Sequence, residues 1–516
     1  MKNKLVKSAF ILIVASVFSK LLGAIYRVPL TNIIGTVGIG VYQLVFPVYS
    51  LLFVLCSNGV CLAISKMVAS FRAKNDTKNI SSVFKSGLII SLVVSIFFAL
   101  CLVLGANIIS SIQGNSQATL SYFSLGFSLI FASLVNVFRG LFQGFEDARQ
   151  SAVAIILEQL FKLVFGLVLA KILMKYGVEY GVLGATIGVS AGELIAFIYL
   201  FIEYMIAKKK YKLYKTNINL KPVLKLALPI TISTAILPLS SAVESFIVVP
   251  LLKRYMSETI ATSLYGIQTG MINPLINFPL IIVTSLCTFL LPAVSFNESN
   301  KEKNKVMCEK AVKFTFIIII ASAFGYSILS RDILSLLYGK VLDKSLENIS
   351  SLLFIVSSLV MLFSALSSIF TTILQANNKP YIAVKSLAIS IVIKLILMAM
   401  LVNISSINIL GLALSSLISF IVNAIINYLY VRKIYGIRID LTALAKILSS
   451  VLVMVLSIFF IRLIFDELNL ILSLIISIIC GVVVYFMCLI IFNVISKDEI
   501  KSLLDKRVKV VAEKES

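Results

Sequence analysis

The sequence predicts an all-α polytopic membrane protein, with about fourteen transmembrane helices in two parallel six-helix repeats around a central cavity and two extra helices at the C-terminal end. Three observations predict it. Of 516 residues, 59% are hydrophobic and only 13% charged, whereas soluble domains carry roughly 45–50% and 25%. Apolar runs of span length recur along the whole chain, and Lys and Arg collect between alternate runs. A span needs ~20 apolar residues, so fourteen spans absorb the apolar content and leave no separate catalytic domain. The chain is read as a non-enzyme.

The first run, 8–28, follows Lys2, Lys4 and Lys7 as a secretory leader would. It is longer than the 7–15-residue core of a leader and no convincing cleavage site follows, so it is read as the first helix. The later runs cover 41–67, 83–109, 122–142, 152–173, 182–206, 223–251, 267–294, 312–334, 349–374, 382–402, 409–431, 444–464 and 468–494. With the N-terminus inside, the segments facing the cytoplasm hold about 34 Lys and Arg and the outer ones about nine. That asymmetry places both termini in the cytoplasm of a bacterial plasma membrane.

The formal charge of +23 is therefore a topology signal, with no nucleic acid implied. His and Trp are absent, which excludes imidazole chemistry. The seven Cys are scattered without ligand spacing, so neither a metal site nor a cofactor is expected. Gly35-Thr-Val-Gly38-Ile-Gly40 lies between helices with no strand before it, so it is read as a tight outer turn and no nucleotide is expected.

An internal duplication is visible. Phe138 to Gln143 parallels Phe370 to Gln375 at an offset of 232, where Lys162 also meets Lys394. Val182-Leu-Gly184 pairs with Ile409-Leu-Gly411, and Val28-Pro29-Leu30 resembles Val249-Pro250-Leu251. The division that follows is an N-lobe at 1–206, a basic linker at 207–222, a C-lobe at 223–433, a helix pair at 434–495 and a charged tail at 496–516. Six spans return the chain to the same side, so the lobes are parallel repeats, as in transporters that rock around a cavity.

Charged residues inside the runs carry the functional signal, because each costs ~2.5–3.5 kcal/mol at mid-bilayer on insertion scales and so faces water or a partner. They are Lys20 and Arg27 in the first span, Glu158 and Lys162 in the fifth, Glu193 in the sixth, Glu244 in the seventh and Lys394 in the eleventh. Lys20, Gly23 and Arg27 share one helical face, a strip suited to a diphosphate, although Arg27 at the outer interface also fits snorkelling. Glu158 and Lys162 form an i,i+4 pair that can neutralise itself. Glu244 has two roles open, a coupling cation or a pair with Lys394. Gly184, Gly188 and Gly192 form a small-residue strip for close helix packing. Pro229 and Pro238 in the seventh span, with Pro274 and Pro279 in the eighth, are expected to bend their helices, plausibly as gating hinges.

Ser19-Lys-Leu-Leu-Gly23, Gly35-x2-Gly38-x-Gly40-Val-Tyr42, Ala63-Ile-Ser-Lys66-Met-Val-Ala69, Arg139-Gly-x2-Gln143-Gly and Leu157-Glu158-Gln159 resemble the polysaccharide-transporter branch of the multidrug/oligosaccharidyl-lipid/polysaccharide (MOP) exporter superfamily. The resemblance is greatest to its stage V sporulation protein B-like group, related to MurJ-type lipid II flippases. It implies a flippase that turns an undecaprenyl-diphosphate-linked saccharide, lipid II or a related precursor, from the inner to the outer leaflet by alternating access. A role in sporulation and wall-synthesis glycosyltransferases as partners come with it. The family's first-helix cavity arginine corresponds to Lys20 and a second to Tyr26 beside Arg27. Charges of the eighth helix are replaced near Asn273 and Asn277. The expected substrate-binding set is thus Lys20, Arg27, Lys162, Lys394, Tyr26, Asn273 and Asn277, with Glu158, Glu193 and Glu244 as charge partners or sites for a coupling Na+ or H+. Two alternatives remain: a cation-coupled multidrug exporter of the same fold, and a non-transporting membrane enzyme or scaffold of wall synthesis.

Overall fold

Inside hydrocarbon a backbone must satisfy its own donors and acceptors, which a single segment achieves only as a helix. The computed structural model describes residues 2–210, 217–295, 301–464 and 469–494, and among these it contains sixteen α-helices and no strand. The predicted tail at 496–516 and part of the predicted linker, 211–216, lie outside the described residues.

Thirteen helical stretches are long and apolar enough to cross a bilayer. The first, Val14–Ala73, has 60 residues, roughly 90 Å of helix against a hydrocarbon core of about 30 Å. It contains α1 (Lys2–Phe53) and α2 (Gly59–Ala73), and α1 is broken at Gly35, with φ 74° and ψ 178°. Side chains rarely adopt that φ, so the stretch is two helices in series, and the described residues contain fourteen helices of span length. Of the glycine run expected to form an outer turn, only Gly35 departs from helix. Gly40 lies within the helix, and its missing side chain admits Thr262 and Gly266 of α8 (Glu258–Gly266).

The chain continues as α3 (Thr77–Ile112), α4 (Thr119–Gly144), α5 (Ala148–Leu173), α6 (Val178–Lys210) and α7 (Leu220–Leu252). After α8 come α9 (Asn273–Ser295), α10 (Lys301–Ile328), α11 (Ser330–Tyr338), α12 (Lys344–Ala376) and α13 (Pro380–Val402), then α14 (Leu410–Tyr435), α15 (Leu441–Ile464) and α16 (Leu470–Ile491). Single π turns join α1 to α2 at Val54–Asn58 and α8 to α9 at Ile267–Ile272. The prolines do not interrupt their helices. α7 runs unbroken through Pro229 and Pro238 and α9 through Pro279, while Pro274 is the second residue of α9, where no donor is needed.

Helix α4 ends with Glu146 at φ 55°, where the amides of Phe145, Glu146 and Asp147 donate to the carbonyls of Leu141, Gln143 and Phe142. After α12, Asn378 has φ 56°, and the amides of Asn377, Asn378 and Lys379 donate to those of Ile373, Gln375 and Leu374. Each donor and acceptor of the second cap sits 232 residues after its counterpart, the offset found in the sequence.

The described residues pack as two compact units. One is drawn from Met1–Leu275, Lys340–Leu346 and Ile391–Ser415, the other from Ile276–Gly339, Glu347–Ser390 and Ser416–Ser516. In the first, Ile64, Phe84, Phe138 and Phe142 form a buried core, with the Phe84 and Phe138 rings 5.4 Å apart and Tyr204 against both. Small residues let backbones meet there: Gly140 faces the Cys61 backbone and Gly59 the carbonyl of Ala227.

The second unit is held by a polar ladder, the glue expected where lipid is as apolar as the side chains. Asn423 Oδ1 accepts from Ser367 (2.9 Å) and Asn427 (2.7 Å), and its Nδ2 donates to Ser390 (3.1 Å). Asn427 Oδ1 accepts from Ser386 (2.6 Å), and its Nδ2 donates to Thr371 (3.0 Å).

Gly140→Val drives a branched side chain into the Cys61 backbone and is expected to destabilise by ~1–3 kcal/mol. Gly325→Ala, with nothing within 4 Å of the added carbon, is expected to change little. Thermal unfolding of the purified protein in detergent compares the two, and equal midpoints would contradict the packing described.

Candidate functional site

Helix α1 presents three faces. Ala15, Tyr26 and Leu30 are buried. Val14, Phe18 and Ile25 are exposed and apolar, the surface a helix shows to lipid. Ser16, Lys20, Gly23 and Arg27, at i, i+4, i+7 and i+11, form a third face that is exposed or half-buried yet polar and small. A helix wetted only by lipid has no use for such a face.

On it, Arg27 donates to Gln43 Oε1 at 2.8 Å, and the guanidinium lies 5.2 Å from the centroid of the Tyr42 ring. Gln43 in turn donates to the Thr269 carbonyl at 2.5 Å. These partners are neutral, so they orient Arg27 without cancelling its charge. Among the described residues neither Lys20 nor Arg27 forms an ion pair. Gly23 is open except for Gln159, 3.9 Å from where its Cβ would stand.

Behind this face lies a charge cluster from α4, α5 and α6. Arg139 donates to Glu158 Oε2 at 2.6 Å and Gln159 to Glu158 Oε1 at 3.0 Å. The partner of Glu158 is therefore Arg139 of α4, and the i,i+4 pairing with Lys162 expected from the sequence does not form. Lys162 instead places its Nζ 5.0 Å from the Phe46 ring centroid and 5.8 Å from that of Tyr26, where the ring quadrupoles attract a cation. Tyr26 is buried, its hydroxyl filling the space left by Gly166, so it braces Lys162 and is not itself open to a ligand. Glu193 is buried within electrostatic reach of Glu158, Arg139 and Lys162, and among the described residues it makes no hydrogen bond.

The glycine strip explains why these groups meet. Gly184 lies on the backbone of Leu169 and Ala170, Gly188 on Gly166 and Gly192 on the carbonyl of Glu158. Helix α6 thus rides on α5 with no side chain between them, which carries Glu193 to the cluster.

Across the first unit, Glu244 Oε1 of α7 lies 2.5 Å from Lys394 Nζ of α13, and Ser240 donates to the same oxygen at 3.4 Å. Both side chains are largely buried, so Lys394 is compensated where it stands. Gln268 donates to Asn273 Oδ1 at 3.3 Å, while Asn277 is exposed. Pro238 is half-buried and Pro279 buried, both within continuous helix. Among the described residues no three His, Cys, Asp or Glu side chains converge as metal ligands would.

The structure thus separates the cations into two sets. Arg139, Lys162 and Lys394 have carboxylates beside them, whereas Lys20 and Arg27 do not. Gln43 and Phe46 were not singled out by the sequence reading, and Arg139 entered it only inside a family motif, not as the partner of Glu158. Arg139 ends an apolar run and counts there as a loop charge, and Gln43 and Phe46 gain their meaning only from neighbours distant in sequence.

Comparison with known proteins gives matches over most of the chain. Residues 5–298 match the family model described as polysaccharide biosynthesis protein, and residues 182–479 that of lipid II flippase MurJ, each more than half of the chain. Lipid II flippase MurJ of Bacillus subtilis (strain 168) is 24% identical over 88% of each chain. Stage V sporulation protein B of the same organism is 26% identical over 85% of this chain and 86% of that one. A solved structure of lipid II flippase MurJ in an inward closed conformation has the same fold, with a TM-score of 0.73 at 18% identity over 93% of this chain and 98% of that one.

Breaking a buried pair leaves its partner charged in a medium that cannot solvate it, at a cost of ~3–5 kcal/mol. Arg139→Ala is therefore expected to destabilise strongly, and Arg139→Met with Glu158→Met to recover most of the loss. Chemical denaturation in detergent measures both, and a single variant as stable as the double one would argue against the pairing.

Proposed function

This chain belongs to the polysaccharide biosynthesis protein family, in the part of it related to MurJ, and we propose that it is a flippase for an undecaprenyl-diphosphate-linked cell-wall precursor. In this reading it works in the bacterial plasma membrane with both termini cytoplasmic and carries the precursor from the inner to the outer leaflet by alternating access. The observation that carries the proposal is the polar face of α1, where Lys20 and Arg27 lack a carboxylate partner among the described residues. A diphosphate cannot enter hydrocarbon alone, since desolvating an isolated ion costs tens of kcal/mol by Born estimates. Two uncompensated cations on a strip of small side chains replace its water and let the headgroup approach the helix.

The membrane potential acts in the same direction. One elementary charge moved through 100 mV is worth ~2.3 kcal/mol, so a carrier lipid with two negative charges is driven outward by a potential negative inside. Glu193, buried with no hydrogen bond of its own among the described residues, is the carboxylate at which a coupling proton or Na+ would act.

A cation-exporting relative of the same fold would need open carboxylates. Glu158 and Glu244 are instead held by Arg139 and Lys394, which leaves Glu193 alone among the intramembrane carboxylates of the described residues and favours the anionic substrate. The parallel-repeat reading is supported by the matched caps and by Gly411, which faces Leu401 and Val402 as Gly184 faces Leu169 and Ala170, the faced residues lying 232 apart and the glycines 227.

Reconstituted vesicles with a fluorescent lipid II analogue test the proposal. Lys20→Gln and Arg27→Gln are each expected to slow flipping at least about tenfold, the loss of one charge-assisted hydrogen bond, and Lys20→Arg to preserve it. Wild-type rates in the double variant would remove the site assignment.

A further inference from the structure

The second unit contains a cavity of about 380 Å³ where the N-terminal end of α10 meets the 436–440 segment and the start of α15. Its rim carries Lys310, Lys313 and Arg438, and its floor includes Val312, Phe316, Ile437 and Ile447, all buried. Two acidic residues also line it, and each is engaged elsewhere. Glu309 lies 4.0 Å from Lys305 one turn back. Asp440 caps α15, accepting from the Thr442 hydroxyl and the amides of Thr442 and Ala443; those bonds hold its carboxyl below the usual range. Among the described residues, Lys310 and Arg438 have no hydrogen bond or ion pair.

The cations sit at the start of the apolar stretches of α10 and α15, where a spanning helix leaves the hydrocarbon. On α15, Ala443, Leu444 and Ile447 add apolar wall to the cavity. A cationic rim above an apolar floor has the polarity profile of an amphiphile. Basic pockets between spanning helices on the cytoplasmic side are suited to lipid phosphates. The volume lies near the lower end of ligand pockets, ~300–1,000 Å³. That is room for a phosphate and its glycerol, and too little for a disaccharide-peptide headgroup.

We infer that this cavity binds the phosphate headgroup of an anionic phospholipid, with Lys310, Lys313 and Arg438 around the phosphate and the apolar part of the lipid against Phe316, Leu444 and Ile447. The inner leaflet is the one concerned if these ends are cytoplasmic as proposed above. Binding here does not depend on the flippase reading, because it is measured without transport.

Native mass spectrometry of the full chain, titrated with phosphatidylglycerol, phosphatidylcholine or glycerol phosphate, tests the inference. One phosphatidylglycerol is expected to bind more tightly than the rest. Lys310→Gln with Arg438→Gln should weaken it by about 30-fold, on the scale of one surface cation's attraction to anionic lipid taken twice. Lys310→Arg with Arg438→Lys should retain it, and both pairs of changes are at exposed positions that leave the fold intact. Equal binding of phosphatidylcholine, or undiminished binding in the Gln variant, would overturn the inference. Displacement of the lipid by equimolar glycerol phosphate would overturn it too, in favour of a soluble phosphate.

Discussion

A charge inside hydrocarbon is tolerated only beside an opposite charge, a dipole or water, and that constraint organises this molecule more than any apolar contact does. Apolar packing gains little between helices already surrounded by lipid. What fixes the helices against one another is therefore polar or very small: Arg139 on Glu158, Glu244 on Lys394, the Asn423 and Asn427 ladder, and glycines that let backbones touch.

Within that framework the cations divide by function. Arg139 and Lys394, paired with Glu158 and Glu244, join helices to one another, while Lys162 rests on the Phe46 and Tyr26 rings with Glu193 within electrostatic reach. Lys20 and Arg27 are different, since Gln43 and Tyr42 steer Arg27 without neutralising it. The positive surface available to a ligand is thus narrower than the set of intramembrane cations suggests, and it is concentrated on one helix. The cavity between α10 and α15 follows a similar logic, where Asp440 is occupied by capping α15 and, among the described residues, Lys310 and Arg438 form no ion pair.

Much of the fold could be read from the sequence because the bilayer imposes one simple rule on every apolar run. Orientation of individual side chains was less accessible. In the Gly35–Gly40 stretch, composition alone does not reveal that Gly35 takes the left-handed backbone while Gly40 serves contact with α8. The prolines expected to bend α7 and α9 lie within continuous helix at Pro229, Pro238 and Pro279. The charges were visible and their partners only in part, since a pairing of Glu244 with Lys394 was one of two roles the sequence left open. Glu158 has Lys162 one turn away, yet Arg139 of another helix takes it, and Glu244 meets Lys394 across 150 residues of chain. Local spacing proposes pairs, and tertiary packing chooses among them.

The seam where α6 lies on α5 has a mechanical consequence. With Gly166 facing Gly188, and Gly184 and Gly192 pressed against main chain, the two helices have no compressible layer between them and cannot slide without a steric collision. They behave as a single stiff plank bearing Glu158, Lys162 and Glu193 together. These three ionisable groups keep company with one another on that plank, whereas the partner of Glu158, Arg139, stands on α4, outside it.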